Sequence, residues 1–298
     1  MEKGWKRIPV IIRAVITGSV VCLVGTMGWS ILLGLNLKFS RAVPWAVAVM
    51  PVLLWAYWRY LGGKGWPHST AETRRASLRS HRLSRNLCTW ALAAGTLSIA
   101  SVVNFQLLYA RFVRVPSERV PDLSRYPFLT VLGALLMSAV VSGLMEEAGF
   151  RGYMQVPIEQ RYGPVTASSI VAAVFAFWHF SHGVGPTVPR LPYYFAISFV
   201  YSGVAYLSNS LLPVVAIHTC GDALEFLLVW LRGTPQQRPL VWQAGTDVAF
   251  WAELGLGVFL GILAAGAFRR LMTVSRSKRK TLFDERPDMD SLPSERSA

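Results

Sequence analysis

Charged residues are scarce in this chain of 298 residues: Asp, Glu, Lys and Arg make up 15% of it, and hydrophobic residues 53%. Soluble globular proteins carry about 25% charged residues, so this composition excludes a soluble enzyme and a disordered scaffold. Cysteine is rare as well, and the three cysteines form no CxxC pattern, which excludes a disulfide framework and a cysteine zinc site of that kind. Long apolar runs replace the missing polar residues, as in a membrane protein.

These runs predict an all-α, multi-pass transmembrane helical bundle. Crossing a hydrocarbon core takes about 20 helical residues, and about eight runs approach or exceed that length. The predicted spans are residues 10–35, 43–60, 87–110, 127–150, 164–182, 192–207, 211–231 and 248–272. The protein is therefore expected in a membrane, which is the cell membrane if the source is bacterial.

Basic residues predict the orientation of the bundle. With both termini in the cytoplasm, 21 of the 30 Lys and Arg residues lie inside, so N-in and C-in is favoured. The same rule explains the net charge of +14 without a nucleic-acid partner. Residues 69–85 hold five arginines and predict a basic amphipathic segment on anionic lipid.

Composition divides the chain into four parts. Residues 1–124 hold the first helices and the basic cytoplasmic loop, and residues 125–232 hold the ionisable residues discussed next. Residues 233–272 contain the last transmembrane helix, and residues 273–298 form a polar C-terminal tail.

Ionisable residues cluster within three of the later spans. Such side chains are costly inside a bilayer, and they usually face a bundle interior or a wet cavity for a functional reason. Three of the five histidines of the chain are among them. The cluster consists of Glu146, Glu147, His179, His182, His218, Asp222 and Glu225, with Arg151 just beyond the fourth span.

The spacing of these residues follows helical geometry. Glu147 and Arg151 are four residues apart and predict a structural ion pair. Glu146 is rotated by about 100° from Glu147, which leaves its carboxylate to face a cavity. His218 and Asp222 are also four apart and share a helix face.

A turn signal at Gly163-Pro164 predicts a helical hairpin between the fourth and fifth spans. Glu146 lies 17 residues before Gly163 and His179 lies 16 residues after it, so the hairpin brings the two side chains level. A partly buried carboxylate beside an imidazole can remove a proton from water. The same residue types can also ligate a metal ion such as zinc, and both chemistries favour hydrolysis of an acyl or peptide bond.

Three short motifs in this region resemble those of the CPBP family, the membrane proteases that include CAAX-protease and bacteriocin-processing members. Residues 146–151 (EEAGFR) are similar to its EExxxR motif, residues 175–179 (FAFWH) to its FxxxH motif, and residues 218–222 (HTCGD) to its HxxxN/D motif. The resemblance implies an intramembrane endopeptidase that acts near the C-terminus of a prenylated protein or on a small membrane-associated peptide. It further implies that Glu146 and His179 activate water, while His218 and residue 222 form the oxyanion site.

Position 222 departs from the commoner pattern, because Asp222 stands where the better-studied members have Asn. An ionised Asp cannot donate a hydrogen bond to an oxyanion. Asp222 is therefore protonated, or it holds His218, or it ligates a divalent metal, and the sequence leaves these three open. It also leaves the roles of His182 and Glu225 unassigned.

Two other classes of function compete with the protease. A catalytically silent relative acting as an immunity or scaffold protein is one, although the complete set of motif residues argues against it. A proton-coupled transporter is the other, because buried Glu and His residues also build proton relays. Transporters usually carry paired repeats, and this chain confines its ionisable residues to one part.

Overall fold

All regular elements in the described chain are helices. The computed structural model describes residues 2–116, 122–233 and 237–284. Its α-helices are α1 (Glu2–Arg7), α2 (Val10–Phe39), α3 (Trp45–Leu61), α4 (Ala71–Leu78), α5 (Arg85–Tyr109), α6 (Phe128–Glu147), α7 (Gln155–Tyr162), α8 (Pro164–Trp178), α9 (Val184–Thr187), α10 (Leu191–Ser208), α11 (Leu212–Arg232), α12 (Val241–Ala244) and α13 (Val248–Asp284). A π-helix, Ala148–Met154, joins α6 to α7. The predicted all-α class is confirmed.

The protein is an integral multi-pass membrane protein. Within the described ranges, six helical segments are long and apolar enough to cross a membrane: Val10–Phe39, Arg85–Tyr109, Phe128–Tyr162, Pro164–His182, Leu212–Arg232 and Val248–Ser277. The other two predicted spans are present as the helices α3 and α10, of 17 and 18 residues. Helices suit this environment because they satisfy every interior backbone polar group without water. The number of segments that cross and the N-in, C-in orientation stay predictions.

The last helix ends later than the sequence indicates. It continues to Asp284, whereas the loss of apolar residues predicted an end near residue 272. The polar stretch after residue 272 contains no Gly or Pro before Asp284, so nothing in it breaks the helix. The change in hydropathy marks where the membrane-compatible part ends, which is a different boundary from the end of the helix. Residues 285–298 of the predicted tail lie outside the described residues.

The helix that carries the first motif changes its winding directly after that motif's two glutamates. Residues Phe128–Tyr162 run without a break, but Ala148–Met154 are wound as a π-helix. Pro157 follows shortly afterwards, and it has no N–H with which to continue the α-helical hydrogen-bond pattern. The irregular winding therefore lies upstream of this proline. Short π-helical segments within α-helices are frequently found at functional sites.

The π-helix is buried on the side where α2 crosses it. All seven of its residues are buried. A Cβ atom added to Gly149 would lie 2.6 Å from the carbonyl oxygen of Gly18 and 3.0 Å from Cβ of Cys22. The two glycines therefore allow the two backbones to approach each other directly, so that the first helix of the bundle supports the first motif.

The close crossing of the two backbones predicts the effect of adding one methyl group at Gly149. Because the obstructing atom is a backbone oxygen, Gly149→Ala must push α2 away, and we expect it to destabilise the protein by about 1–3 kcal/mol. The measurement is the thermal unfolding midpoint in detergent. Gly28→Ala is the matched control on α2, since no described atom lies within 4 Å of its added Cβ. Equal midpoints for the two variants would contradict the close crossing.

The basic segment predicted to lie on lipid is partly a structural strap, defined here as residues 68–84. Arg74 is buried and donates to the carbonyl oxygen of Tyr60 at 2.6 Å. Arg79 is also buried, with Nη2 2.8 Å from Oε2 of Glu159. Both guanidinium groups satisfy acceptors within the protein, so the lipid-surface prediction is wrong for them. The exposed arginines that still suit it are Arg75, Arg82 and Arg85.

Candidate active site

Three helices carry the motif residues to one region. Glu146 and Glu147 end α6, His179 begins the 3-10 helix that follows α8, and His218 lies in α11. The helices α6 and α11 pack closely because Gly143 faces Thr219: an added Cβ would lie only 2.1 Å from the threonine Oγ1. The first and third motifs are therefore held side by side.

The predicted ion pair between Glu147 and Arg151 is present and fully buried. Nη1 of Arg151 donates to Oε1 of Glu147 at 3.0 Å, and both side chains are 0% exposed. Nη2 of Arg151 donates to Oγ of Ser198 at 2.8 Å, which ties the pair to α10. A buried pair with additional hydrogen bonds fixes its neighbours, and losing one partner leaves an uncompensated charge.

Aromatic rings surround the same guanidinium group. Its carbon lies 4.7 Å from the ring centre of Phe175, 5.2 Å from that of Tyr201 and 5.7 Å from that of Phe150. Ring faces attract a cation, and the attraction strengthens when the cation is removed from water. Arg151 is thus held from several sides, and it connects the first motif to the phenylalanine of the second.

Glu147 also holds the histidine of the third motif. Nδ1 of His218 donates to Oε1 of Glu147 at 2.7 Å. A carboxylate only accepts, so the proton resides on Nδ1, and a neutral His218 would carry its lone pair on Nε2. The same carboxylate oxygen therefore accepts from both Arg151 and His218 and joins two motifs at one atom.

A chain of polar groups leads from His218 to the remaining carboxylates. Nε2 of His218 lies 3.4 Å from Oδ2 of Asp222 and 3.5 Å from Oγ of Ser142. The Ser142 hydroxyl donates to Oε1 of Glu146 at 3.2 Å. Glu146 and Asp222 are half-buried, in contrast to the fully buried Glu147. Glu146, His218 and Asp222 are thus brought together around Ser142.

His179 contacts the same Phe175 ring as His218 does. Its ring centre is 4.7 Å from that of Phe175, and the same phenylalanine is 6.4 Å from His218. Nδ1 of His179 donates to the backbone oxygen of Phe175 at 2.8 Å. A carbonyl only accepts, so the lone pair of a neutral His179 resides on Nε2. The backbone oxygen of His179 accepts from Oγ1 of Thr187 at 2.8 Å, which fixes the 3-10 turn.

The two unassigned residues lie at the edge of this region. The ring of His182 stands edge-on to that of His179, with 5.4 Å between the ring centres. Both His182 and Glu225 are exposed, unlike Glu147 and His218, which are buried. Their roles stay unassigned.

Four contact residues escaped the sequence analysis. Ser142 lies one turn before Glu146, so the spacing of four was a usable signal. Tyr194, Ser198 and Tyr201 are spaced by four and three along α10, which puts them on one face. Their residue types are ordinary in a membrane helix, so this spacing alone could not separate them from lipid-facing or packing residues.

The possible metal ligands of this region are the motif histidines and the nearby carboxylates. In the described part of the chain, no three or more His, Cys, Asp and Glu side chains are grouped to hold an ion. Nδ1 of His218 and of His179 both donate to protein oxygens, which leaves Nε2 as the second nitrogen of each ring. This is also the arrangement of histidines that bind metals through Nε2.

Comparison with known proteins gives a match to a protein family. Residues 128–224, about a third of the chain, match the family described as Type II CAAX prenyl endopeptidase Rce1-like. The matched range includes all three motifs, and the resemblance to the CAAX proteases is confirmed. No curated protein and no solved structure matches the chain. The family implies a membrane protease.

Proposed function

We propose that this protein is an intramembrane endopeptidase that hydrolyses a peptide bond near the C-terminus of a prenylated protein or in a small membrane-associated peptide. The polar chain from Glu146 through Ser142 to His218 and Asp222 carries this proposal. It lies between α6 and α11, which belong to two of the segments that can cross a membrane. Carboxylates and imidazoles in such a setting suit hydrolysis, because they can take up and supply protons beside a bound peptide bond.

Glu146 and His179 are proposed to activate the attacking water. Glu146 is half-buried, and Ser142 donates to one of its two oxygens, which leaves the carboxylate oriented to accept a proton from water. His179 directs its second nitrogen, Nε2, away from the Phe175 carbonyl. A neutral Nε2 accepts a hydrogen bond from the same water and orients it, and the proton taken up by Glu146 is the one later given to the leaving amine.

His218 and Asp222 are proposed to stabilise the oxyanion. Because Nδ1 of His218 already donates to Glu147, only a doubly protonated ring can donate from Nε2 as well. Glu147 lies against this ring and favours its positive charge. Asp222 lies beside Nε2 and, when protonated, can itself donate to the oxyanion. A cationic donor aimed at the developing negative charge is the kind of group that lowers such barriers.

The test uses the whole purified protein and a library of prenylated and unmodified peptides. Sequencing of the products identifies the bond that is cut, and Glu146→Gln serves as the inactive reference. We expect cleavage by the wild type and none by the reference. Uptake of peptides into sealed vesicles without cleavage would contradict the proposal and favour the transporter. Absence of both activities would favour the silent relative.

A substitution at position 222 distinguishes the proposed oxyanion site from a metal site. Asp222→Asn keeps the shape, removes one negative charge and adds a donor. Because Glu147 still accepts from His218, we expect the variant to cleave as fast as the wild type or faster, with little direct effect of a chelator. Cleavage is measured across pH with and without chelator.

The other outcomes at position 222 are equally informative. The cleavage rate could instead fall by about 10–100-fold, as is typical when a hydrogen-bond partner of a functional histidine is removed. That result would mean that His218 requires the negative charge of Asp222 beside it. A chelator-sensitive wild type together with an inactive Asp222→Asn would replace the proposed mechanism with a metal-dependent one.

A further inference from the structure

Helix α10 carries none of the three motifs, yet one of its faces contacts all three. Ser198 accepts from Arg151 of the first motif at 2.8 Å. Tyr194 lies against His179 of the second motif, and Tyr201 lies against His218 of the third. The spacing of four and three residues aligns these side chains along one stripe of the helix. A single rigid element is therefore in contact with each part of the candidate site.

The contact between Tyr194 and His179 is a close parallel stack. The ring centres are 3.8 Å apart and the planes differ by 19°. On its own helix, His179 meets Phe175 at 4.7 Å and a tilt of 57°. Nδ1 of His179 also donates to the Phe175 carbonyl at 2.8 Å, so the imidazole has a hydrogen bond at this atom and a ring stacked over its face. The parallel tyrosine ring opposes tilting of the imidazole out of this plane.

The contact between Tyr201 and His218 repeats the arrangement two turns further along α10. The ring centres are 5.2 Å apart and the planes differ by 27°. Tyr201 is buried, and its ring also faces the guanidinium of Arg151. Tyr201 thus contacts His218 directly. It also contacts Arg151, which donates to Glu147, the carboxylate that accepts from His218.

We propose that Tyr194 and Tyr201 are positioning residues, which hold the imidazole planes of His179 and His218 in the orientation that hydrolysis requires. This proposal rests on the proposed function, because it assigns the tyrosines an effect on the two histidines of that site. Neither tyrosine needs to touch the substrate. Small errors in the orientation of an acid or base are expensive, since a misplacement of about 1 Å can cost about 100-fold in rate.

Tyr194 gives the cleaner test, because Tyr201 also supports Arg151 and its loss could unfold the protein. Tyr194→Leu removes the ring, and we expect kcat to fall by up to about 100-fold with KM unchanged. Tyr194→Phe keeps the ring and is expected to retain the wild-type kcat. Phe199→Leu is the matched control on the same helix, since its ring is 39% exposed and stacks on Phe195 instead. An unchanged kcat in Tyr194→Leu, or an equal loss in Tyr194→Phe, would overturn the proposal.

A second measurement separates this proposal from the proposed function. Diethyl pyrocarbonate modifies accessible imidazoles, and mass spectrometry locates each modified histidine. We expect His179 to react several-fold faster in Tyr194→Leu than in the wild type or in Tyr194→Phe, with the exposed His81 as the internal reference. Peptides left uncut by the wild type would refute the endopeptidase while this labelling still tests the stack. Equal labelling of His179 in all three proteins would refute the stack even if the wild type cleaves.

Discussion

Glu146→Gln is expected to leave a folded protein that cannot cleave peptides. General base catalysis contributes about 100- to 10,000-fold to such reactions, and an amide cannot accept the proton that a carboxylate takes from water. The amide oxygen of glutamine can still accept from the Ser142 hydroxyl, which donates to Glu146 at 3.2 Å. The polar chain is therefore kept while the base is removed.

The measurement is the single-turnover rate of cleavage by equal amounts of folded protein. Glu72→Gln is the matched control, because Glu72 is an exposed glutamate on α4, in the strap. We expect the control to cleave like the wild type. Turnover by Glu146→Gln above a tenth of the wild-type rate would remove Glu146 from the role of base.

Interactions within one helix are what the sequence predicts best. The spacing of four between Glu147 and Arg151 indicated an ion pair, and the two side chains meet at 3.0 Å. The same spacing placed His218 and Asp222 on one face, and their side chains are 3.4 Å apart. Such pairs depend only on helical geometry, which the chain carries locally.

Individual hydrogen bonds between helices could not be predicted from the sequence. Nothing in the spacing indicates that Glu147 accepts from His218, because that bond depends on how close α6 and α11 approach each other. That approach depends in turn on Gly143, which has no side chain to keep α11 away. In the sequence it is one small residue among many in an apolar run. The π-helix could not be predicted for a related reason. All seven of its residues are buried, so its conformation depends on the helices packed around it, which the local sequence does not specify.

The buried ion pair belongs to a longer row of polar residues. Gln155 and Glu159 follow Arg151 at further steps of four, and Nε2 of Gln155 donates to Oε2 of Glu159 at 3.2 Å. Glu159 in turn pairs with Arg79 of the strap. Arg151 and Gln155 both donate to α10, at Ser198 and Ser202. Loss of Arg151 therefore also removes one of the hydrogen bonds that hold this row against α10.

Arg151→Ala is accordingly expected to reduce the amount of folded protein more than any other single change discussed above. Removing one partner of a buried ion pair costs about 3–5 kcal/mol, because the remaining charge is left uncompensated. Here the remaining charge is Glu147, which is 0% exposed. Expression level and thermal unfolding midpoint in detergent are the measurements. Arg161→Ala is the matched control, since Arg161 is an exposed arginine in the adjoining α7.

A double substitution tests whether the uncompensated charge is the cause. Glu147→Gln combined with Arg151→Met removes both charges and roughly keeps the volumes, and glutamine can still accept from Nδ1 of His218. Neutral replacements of buried ion pairs are often tolerated, so we expect the double variant to be more stable than Arg151→Ala alone. If it is equally unstable, the hydrogen bonds to Ser198 and the contacts with Phe175 and Tyr201, rather than the charge balance, hold this part of the bundle together. Normal stability of Arg151→Ala itself would mean that the pair is not buried in the membrane.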